Sequence, residues 1–439
     1  MLLKLEKTLF YIFLFLIPFQ IRMMVYPKSP SAIGSNEWNS AFLYLGDLIF
    51  IAVLALAILR KGIKFEKKDI FLLLFVAIAG ISLFATSSLG ISAFRLVKLI
   101  EFALLFLYVG TFSGPKALSA LGPRTNILKI LVLGGALQAI LAIAQFIKQG
   151  SIGIKFVEAG IFSPDSPGVA NFILDGEKIM RSYGSFPHPN VLAGFLLLAI
   201  FCFYAIWLKQ TVGILRCAGF LVVVFGLFLT FSRTAIAVFG AISLLMFLVQ
   251  ILKTRKKQII KLFGLFLVSC ILAVIILAPY LKARFFTITL EEQAVDLRFF
   301  YNRIALSMIK EKPILGVGIG NFVNYSQNYQ TFLRAAAKVA GVPDIAPRPG
   351  SGQSLPDWIF QPEHNVYLLI ASETGILGLL AFFGFIIFNI RRSNLRWEVR
   401  PLTILFIGFL IIALADHYFW TLQQGGIMFW LALALTVKE

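Results

Sequence analysis

Long apolar segments recur along almost the whole chain and are separated by shorter polar connections. A helix needs about 17–25 mostly apolar residues to cross the hydrocarbon core of a bilayer. The pattern predicts an all-α polytopic membrane protein with about twelve transmembrane helices, in which residues 1–439 form a single membrane domain. The apolar windows lie at 8–24, 43–59, 70–86, 93–110, 127–147, 190–208, 212–230, 234–252, 260–280, 366–390, 401–415 and 419–436.

Two connections are long, at 148–189 and 281–365, and the second precedes the tenth window. In that second connection apolar residues recur every three or four positions, which predicts an amphipathic helix lying on the membrane surface. Residues 343–358 are rich in proline, glycine and polar side chains, which favours irregular structure. The apolar stripe consists of Ala294, Leu297, Tyr301, Ile304 and Met308.

The composition supports a membrane protein. Hydrophobic residues make up 59% of the chain and charged residues 14%, and the mean hydropathy is +0.88. A soluble domain is usually about 45–50% apolar and about 25% charged. The net charge of +19 is compatible with nucleic-acid binding, but the placement of the basic residues gives a different explanation, and no nucleic-acid partner is expected.

Lysine and arginine alternate between the short connections. One set of connections is basic, and the other set holds few basic residues, which are Lys28 and Arg233. Cytoplasmic connections carry the excess of positive charge, so both termini are predicted to be cytoplasmic and residues 281–365 to lie outside. The basic set comprises residues 60–69, Lys116 with Arg124, Lys209 with Arg216, residues 253–261 and residues 391–400.

Unusual polar residues gather at the predicted outer ends of the windows. Charges within membrane segments are costly and usually face a polar cavity, so a shared location on one side suggests a functional site. These residues are Asn190 in RSYGSFPHPN (181–190), Arg233 in FSRTA (231–235), Arg95 and Lys98 in the fourth window, Arg298 and Arg303 on the amphipathic helix, His364 and Asn365 before the tenth window, and Asp416 and His417 between the last two.

Each of these residues also has a purely structural interpretation. His-Pro-Asn at 188–190 suits a helix start, and the His-Asn pair before the tenth window suits a helix cap. Arg233 could extend to lipid headgroups, and Arg298 could lie on a solvated helix face. Asp416 and His417 are most simply turn residues.

The residue types on the outer side indicate a reaction class. Arginine binds phosphate oxygens through two parallel hydrogen bonds and keeps its charge. Histidine titrates near neutral pH and can take a proton from a hydroxyl group. No carboxylate cluster with metal-ligand spacing is visible outside, so neither a metal nor another cofactor is expected. These residues predict metal-independent group transfer from a lipid-linked phosphate or pyrophosphate to a hydroxyl.

Several motifs in residues 180–390 resemble the O-antigen ligase and polymerase superfamily of bacterial envelope enzymes. FLTFSRTAIAVFG occupies residues 228–240, and GSFPHPNVLAG at 184–194 is similar to the upstream Pro-Asn element. In residues 298–322, Arg298 is followed fifteen positions later by proline and then by Gly-x-Gly-x-Gly. The stretch EHNVYLLIASETGILG contains the His-Asn-x9-Gly-x-x-Gly pattern of the ligases.

The resemblance implies a membrane glycosyltransferase of the GT-C type in the bacterial inner membrane, with its active site on the periplasmic face. It also implies an undecaprenyl-pyrophosphate-linked oligosaccharide or polysaccharide donor, a glycan or glycolipid acceptor such as a lipid A core, and contact with membrane lipids. His364 corresponds to the essential histidine, and Arg233 and Arg298 to the arginines that engage pyrophosphate. Arg303 matches no family position. The expected substrate-binding residues are Arg233, Arg298, Asn365, Arg303, Asn190, Arg95 and Lys98.

Three other functions fit the sequence less well. A glycan polymerase would use a second lipid-linked glycan as acceptor, and a protein O-oligosaccharyltransferase would use a serine or threonine. A transporter of lipid-linked glycans would place polar sites near the middle of the bilayer. Most unusual charges lie instead at the outer ends of the windows, although Glu101 is deeper.

Overall fold

The computed structural model of the protein is mostly helical, and its described part contains two small antiparallel hairpins. In the first hairpin Arg22 pairs with Tyr44, and in the second Asn171 pairs with Met180. The structure describes residues 1–26, 37–60, 69–112, 123–158, 160–208, 210, 212–254, 257–286, 291–339, 355, 359–392 and 400–436.

The helices and strands are numbered in chain order within these ranges. The strands are β1 (Arg22–Tyr26), β2 (Ala41–Tyr44), β3 (Asn171–Leu174) and β4 (Glu177–Met180). The helices are α1 (Leu2–Leu16), α2 (Leu45–Leu59), α3 (Ile70–Ile81), α4 (Leu89–Phe112), α5 (Pro123–Lys148), α6 (Pro189–Trp207), α7 (Ile214–Leu229), α8 (Arg233–Thr254), α9 (Lys257–Ile276), α10 (Ala278–Phe286), α11 (Glu291–Glu311), α12 (Phe322–Ser326), α13 (Gln330–Val339), α14 (Val366–Arg392), α15 (Pro401–Ile412), α16 (Tyr418–Thr421) and α17 (Gln423–Thr436).

Every predicted apolar window overlaps a helix. Within the described ranges, five helices are long and apolar enough to cross a membrane, namely those in α5, α6, α8, α9 and α14. Four further apolar helices are shorter. The prediction of a helical membrane protein is thereby supported, while the number of twelve spans stays a prediction. The first window is placed too late in the chain, because α1 ends at Leu16 and residues 22–26 form a strand.

The centre of the bundle is formed by α6 and α17, which are buried along nearly their whole length. A helix that is apolar on every side must be surrounded by protein or lipid, and here other helices supply the contact. Helix α6 packs against α5, α7 and α15, and α17 packs against α4 and α15. By contrast α9 exposes Ile271 and Ile275, as expected for a helix at the lipid boundary.

The amphipathic helix predicted in the long loop exists as α11, but its apolar stripe is not directed to the membrane. Tyr301, Ile304 and Met308 are buried in a separate small core outside the bundle. Side chains from α12 and α13 complete this core, and α11 also packs against α14. The prediction of a surface-lying helix was therefore wrong, because the cap supplies its own cover for the stripe. Residues 343–354 and 356–358 of the predicted irregular segment lie outside the described residues.

The Gly-x-Gly-x-Gly turn packs into a break in α14. Gly375 has a φ of 73°, and a Cβ there would lie 1.9 Å from a backbone oxygen of the turn. The turn replaces the lost helical hydrogen bonds, since Val317 N donates to Ser372 O at 2.9 Å and Gly318 N to Glu373 O at 2.9 Å. The glycine motif is thus a backbone joint between the cap and α14, and it holds irregular backbone inside protein as membranes require.

Contacts between connections separate the two ends of the bundle. Glu6 near the N-terminus accepts hydrogen bonds from Arg60 at 2.7 Å and from Tyr108 at 3.0 Å. Arg124 donates to the carbonyl of Leu435 at 2.6 Å, close to the C-terminus. Both termini therefore meet the connections that follow α2 and α4 at one end. The orientation of this end in the membrane stays a prediction.

Candidate functional site

Four arginines form a cluster at the opposite end, and they come from four separate parts of the chain. We call Arg181, Arg233, Arg284 and Arg298 the arginine cluster. Burial lowers the pKa of both Arg181 and Arg284, and the charges of neighbouring guanidinium groups lower both pKa values further. Guanidinium groups keep their charge under such conditions. The cluster therefore concentrates positive charge in a poorly solvated place, which favours an anion.

Three members of the cluster are fixed by hydrogen bonds at the turn between α7 and α8. Arg181 donates from Nε to the carbonyl of Thr230 at 2.8 Å, and Arg284 donates from Nε to that of Phe231 at 3.2 Å. Arg233, the first residue of α8, donates from Nε to the Arg284 carbonyl at 3.1 Å. Phe231 has a φ of 46°, a left-handed conformation that a phenylalanine rarely adopts. The tight turn thus presents its carbonyls to the arginines.

Arg298 differs from the other three arginines. Within the described residues no hydrogen bond or ion pair holds its half-buried guanidinium group. Its charge nevertheless acts on His188, His364 and His417 and lowers the pKa of each. Arg298 is therefore a positioned cation whose hydrogen-bond donors can meet a bound anion.

His364 and His417 form a pair next to the cluster. Their rings make an edge contact with centroids 4.8 Å apart, and Trp38 makes a second edge contact with His417, also at 4.8 Å. Tyr301 stacks on His364 at 6.1 Å. Nδ1 of His417 lies 2.7 Å from Oγ1 of Thr421, whereas Nδ1 of His364 has no hydrogen-bond partner among the described residues.

Both histidines of the pair are kept neutral. Burial, the neighbouring histidine and Arg298 lower the pKa of His364 well below its usual value. Burial also lowers the pKa of His417, to about 4, although Asp416 opposes the shift. A neutral imidazole with a free nitrogen can accept a proton, which is the property that a general base needs.

The side chains that cap helices here belong to Asn365 and His188, and not to His364. The side chain of Asn365 accepts hydrogen bonds from the backbone N–H groups of Tyr367 at 2.9 Å and Leu368 at 3.2 Å, so it caps α14. His188 caps α6, because its Nδ1 accepts from the N–H of Asn190 at 3.1 Å. Asn365 therefore orients the His364 backbone, and its oxygen is already engaged.

Glu363 is a further titratable group beside His364. Burial raises the pKa of Glu363 to about 7, and Arg298 lowers it to a smaller extent. One carboxylate oxygen accepts from the N–H of Asn365 at 2.8 Å. With its amide turned to donate, Asn302 lies 2.6 Å from the same carboxylate. Glu363 is 1% exposed, so its contacts anchor the start of α14 to α11.

Asn190 connects the arginine cluster to Asp416. Its Oδ1 accepts from Arg181 at 2.6 Å, and its Nδ2 donates to Asp416 at 2.6 Å. Asp416 and His417 are therefore more than the turn residues that the sequence suggested, since both are joined to the site. Because both ends of its amide are occupied, Asn190 positions charged neighbours.

Arg95 and Lys98 line a cavity whose wall also contains Trp38 and Thr421, two residues that contact His417. Arg95 donates to the Thr421 carbonyl at 2.6 Å, next to His417. Lys98 forms ion pairs with Asp47 and with Glu101, the latter at 3.0 Å. The structure thus brings Arg95 close to the histidines, while Lys98 is held in a buried ionic network.

Arg303 is not joined to the site by any contact among the described residues. Five positions along α11 turn it by about 140° from Arg298. It is exposed, and its guanidinium lies over the Phe299 ring with 4.5 Å to the centroid. The expectation that Arg303 binds substrate receives no support from this placement.

Sequence reasoning missed Arg181, Arg284, Glu363 and the position of His417. Arg181 opens the quoted stretch RSYGSFPHPN, so its place in that motif was an available signal. Arg284 stands in an ordinary basic stretch after α9, and only the tertiary structure brings it to Phe231. Among the described residues, no group of three or more His, Cys, Asp or Glu could hold a metal ion. The expected metal independence stays a prediction.

A comparison with protein families supports these motifs. The family model described as O-antigen ligase matches residues 218–383. The match lies inside the region of resemblance at 180–390 and includes Arg233, Arg284, Arg298 and His364. A search of curated proteins gave no match. The resemblance drawn from the motifs is therefore confirmed, and residues 218–383 are similar to the O-antigen ligase family.

Proposed function

We propose that the protein is a membrane glycosyltransferase that moves a glycan from an undecaprenyl-pyrophosphate donor to an acceptor hydroxyl, without a metal. The family match supports a glycan ligase or polymerase. The observation that carries the finer proposal is the arginine cluster bordered by a pair of neutral histidines. The active site lies on the periplasmic face of the inner membrane, in a GT-C-like fold.

The donor pyrophosphate binds to the arginine cluster. Hydrogen bonds to backbone carbonyls fix the guanidinium groups of Arg181, Arg233 and Arg284. The cluster therefore does not need the anion in order to form. Arg298 contributes donors that are not otherwise engaged among the described residues. A planar guanidinium bonds two phosphate oxygens at once, which a lysine cannot do.

The transfer is a substitution at the anomeric carbon of the donor sugar. The acceptor oxygen forms a bond to that carbon, and the bond between the carbon and the pyrophosphate oxygen breaks. Undecaprenyl pyrophosphate leaves with the electron pair, and the arginine cluster neutralises the charge that develops on its terminal phosphate. The proton of the acceptor hydroxyl goes to His364, whose ring nitrogen Nδ1 has no partner among the described residues.

The donor assignment is tested by Arg298→Lys and Arg298→Gln in purified protein supplied with a lipid-linked pyrophosphate oligosaccharide. Loss of one charge-assisted bond costs roughly 1.5–3 kcal/mol, so transfer should fall about tenfold or more in both variants. Arg303→Lys is the control on the same helix and should retain full activity. Equal activity of the Arg298 and Arg303 variants would contradict the assignment.

The proposed orientation places both termini in the cytoplasm and residues 281–365 outside. It is supported by the alternation of basic connections and by the meeting of both termini at one end of the bundle. A cysteine at position 340 should react with an impermeant thiol reagent added from outside, and one at position 256 should not. The reverse labelling pattern contradicts the orientation.

A further inference from the structure

A crevice between α5, α6 and α7 lies toward the end of the bundle where α6 finishes and α7 begins, away from the arginine cluster. Trp207 is the last residue of α6 and Arg216 lies in the first turn of α7, and both line it. The volume is about 90 Å³, and the lining is aliphatic, aromatic or glycine except for Arg216. A buried water needs two to four polar partners, so the crevice favours an apolar occupant.

The form of the crevice suits a single acyl chain. It is closed at the deep end, where a Cβ on Gly135 would lie 2.3 Å from the Cβ of Ala199. Phe203 packs on Trp207 and on Phe220, with ring centroids 4.3 and 4.8 Å apart, and these rings form a firm floor. Between Ala199 and Trp207 helix α6 rises by about 12 Å, which fits within the roughly 15 Å of hydrocarbon in one leaflet.

The open end of the crevice has the properties of a headgroup site. Ile214 and Leu215, directly before Arg216, are 90% and 84% exposed, as suits apolar side chains that enter a membrane surface. The Arg216 guanidinium lies over the Trp207 ring with 5.6 Å to the centroid. Among the described residues no hydrogen bond or ion pair engages this guanidinium. Its donors are therefore available to a phosphate.

The charge around the open end favours an anionic headgroup. No aspartate or glutamate occurs in residues 102–157 or 178–290, which include the helices of the crevice and the connections at this end. The start of α9 is adjacent, because Gln258 donates to the Trp207 carbonyl at 3.0 Å, and it carries the exposed Lys257 and Lys261. Basic residues at a membrane surface attract anionic lipids.

We propose that the crevice binds one anionic glycerophospholipid, with an acyl chain between α5 and α7 and the phosphate on Arg216. This site differs from the general lipid contact of the outer helices, because its floor is the central helix α6. In the proposed orientation it belongs to the cytoplasmic leaflet. The lipid holds the ends of α6 and α7 together, and no step of the proposed glycan transfer depends on it.

Binding can be measured by native mass spectrometry on the full chain in detergent, titrated with dioleoyl phosphatidylglycerol or dioleoyl phosphatidylcholine. The unmodified protein should bind one phosphatidylglycerol at least about fivefold more tightly than phosphatidylcholine. Arg216→Gln should weaken phosphatidylglycerol binding about tenfold, because a charge-assisted hydrogen bond to the phosphate is lost. Arg391→Gln is the matched control, since Arg391 is exposed at the end of α14 and does not line the crevice.

A second variant tests the place of the acyl chain. A Cβ on Gly219 would meet no atom within 4 Å, so a leucine there fits and occupies the space of the chain. Gly219→Leu should abolish tight binding of either lipid. Gly264→Leu is the control, because Gly264 has the same open space but lies on α9, outside the crevice. Melting curves in lipid-free detergent show that each variant is folded, and Arg216→Gln carries the test if Gly219→Leu is not.

Competition identifies the part of the ligand that is bound. Glycerophosphoglycerol, the headgroup without acyl chains, should not displace phosphatidylglycerol, whereas displacement would show a phosphate site alone and overturn the proposal. The proposal is also overturned if the two lipids bind equally, or if the Arg216 and Arg391 variants behave alike. Equal effects of Gly219→Leu and Gly264→Leu, or occupation by undecaprenyl phosphate in preference to phosphatidylglycerol, would overturn it as well.

Discussion

The identity of the general base can be decided from the pH dependence of transfer, because the pKa values of two neighbouring candidates are shifted in opposite directions. The pKa of His364 lies well below its usual value as a result of burial and of the charges of His417 and Arg298. Burial raises the pKa of Glu363 to about 7. A base works only when it is deprotonated, so each candidate produces an acidic limb at a different pH.

The expected difference is large enough to measure. The acidic limb of kcat/KM reports the pKa of a group in the free enzyme. An imidazole with an unshifted pKa of about 6.5 would leave half of the plateau rate at pH 6.5. A carboxylate base with the pKa of Glu363 would leave about a quarter. Since the His364 pKa is lowered, its limb lies below pH 6.5 and the rate at that pH should exceed half of the plateau.

The assay is donor-dependent transfer by purified protein in nanodiscs, measured from pH 5 to 8 as kcat/KM. His364→Ala should lower the plateau by about 10²–10⁴-fold, the usual contribution of general-base catalysis, which corresponds to about 2.7–5.5 kcal/mol of activation free energy. Glu363→Gln keeps the size of the side chain and an acceptor oxygen for the Asn365 N–H, so it should retain most of the activity. Pyrophosphate binding by both variants confirms that they are folded.

Two results would refute the assignment of His364 as the base. One is an acidic limb near pH 7 that disappears in Glu363→Gln, since the proton acceptor would then be the carboxylate. The other is a loss of less than about threefold in His364→Ala, well under the range for a general base. In that case His364 would serve to position the acceptor or the neighbouring backbone.

Three further predictions concern the surroundings of the base. His417→Ala should lower transfer less than His364→Ala, and the double variant should be no slower than His364→Ala alone, because His417 acts on the reaction through its ring contact with His364. Gly375→Ala should destabilise the protein by at least about 2 kcal/mol, measured as a lower Tm, because its φ is positive and the added Cβ would lie 1.9 Å from a backbone oxygen. Gly264→Ala is the control, since a Cβ at that position meets open space. Asn190→Ala should impair transfer and leave inserted protein, whereas unchanged kinetics would show that the link to Asp416 has no role.

The helices could be predicted from the sequence because hydropathy is a local property. Each apolar window overlaps a helix for this reason. The placement of α11 could not be predicted in the same way. Its stripe of Tyr301, Ile304 and Met308 shows that one face must be covered, but the pattern is the same whether lipid or protein covers it. In the structure, residues from α12, α13 and α14 provide the cover.

The residues of the candidate site that lie in recognisable motifs were predicted from the sequence. Arg233, Arg298 and His364 were identified by spacing and resemblance, and the structure places all three at one end of the bundle near the other polar residues. Arg284 has no sequence signal because it reaches the cluster only through the fold of α10 against β3. His417 was underestimated for a related reason. The short turn that contains His417 does not indicate from its sequence that the start of α14 packs against it.

On the proposed assignment, the charge of the arginine cluster links base strength to donor binding. Burial, His417 and Arg298 together lower the pKa of His364, so the imidazole holds a proton poorly. A bound pyrophosphate neutralises this charge and thereby makes protonation of His364 more favourable. The acceptor hydroxyl can then lose its proton most easily when the leaving group is in place. Departure of pyrophosphate restores the positive field, which favours release of the proton from His364 and returns the base to its neutral form.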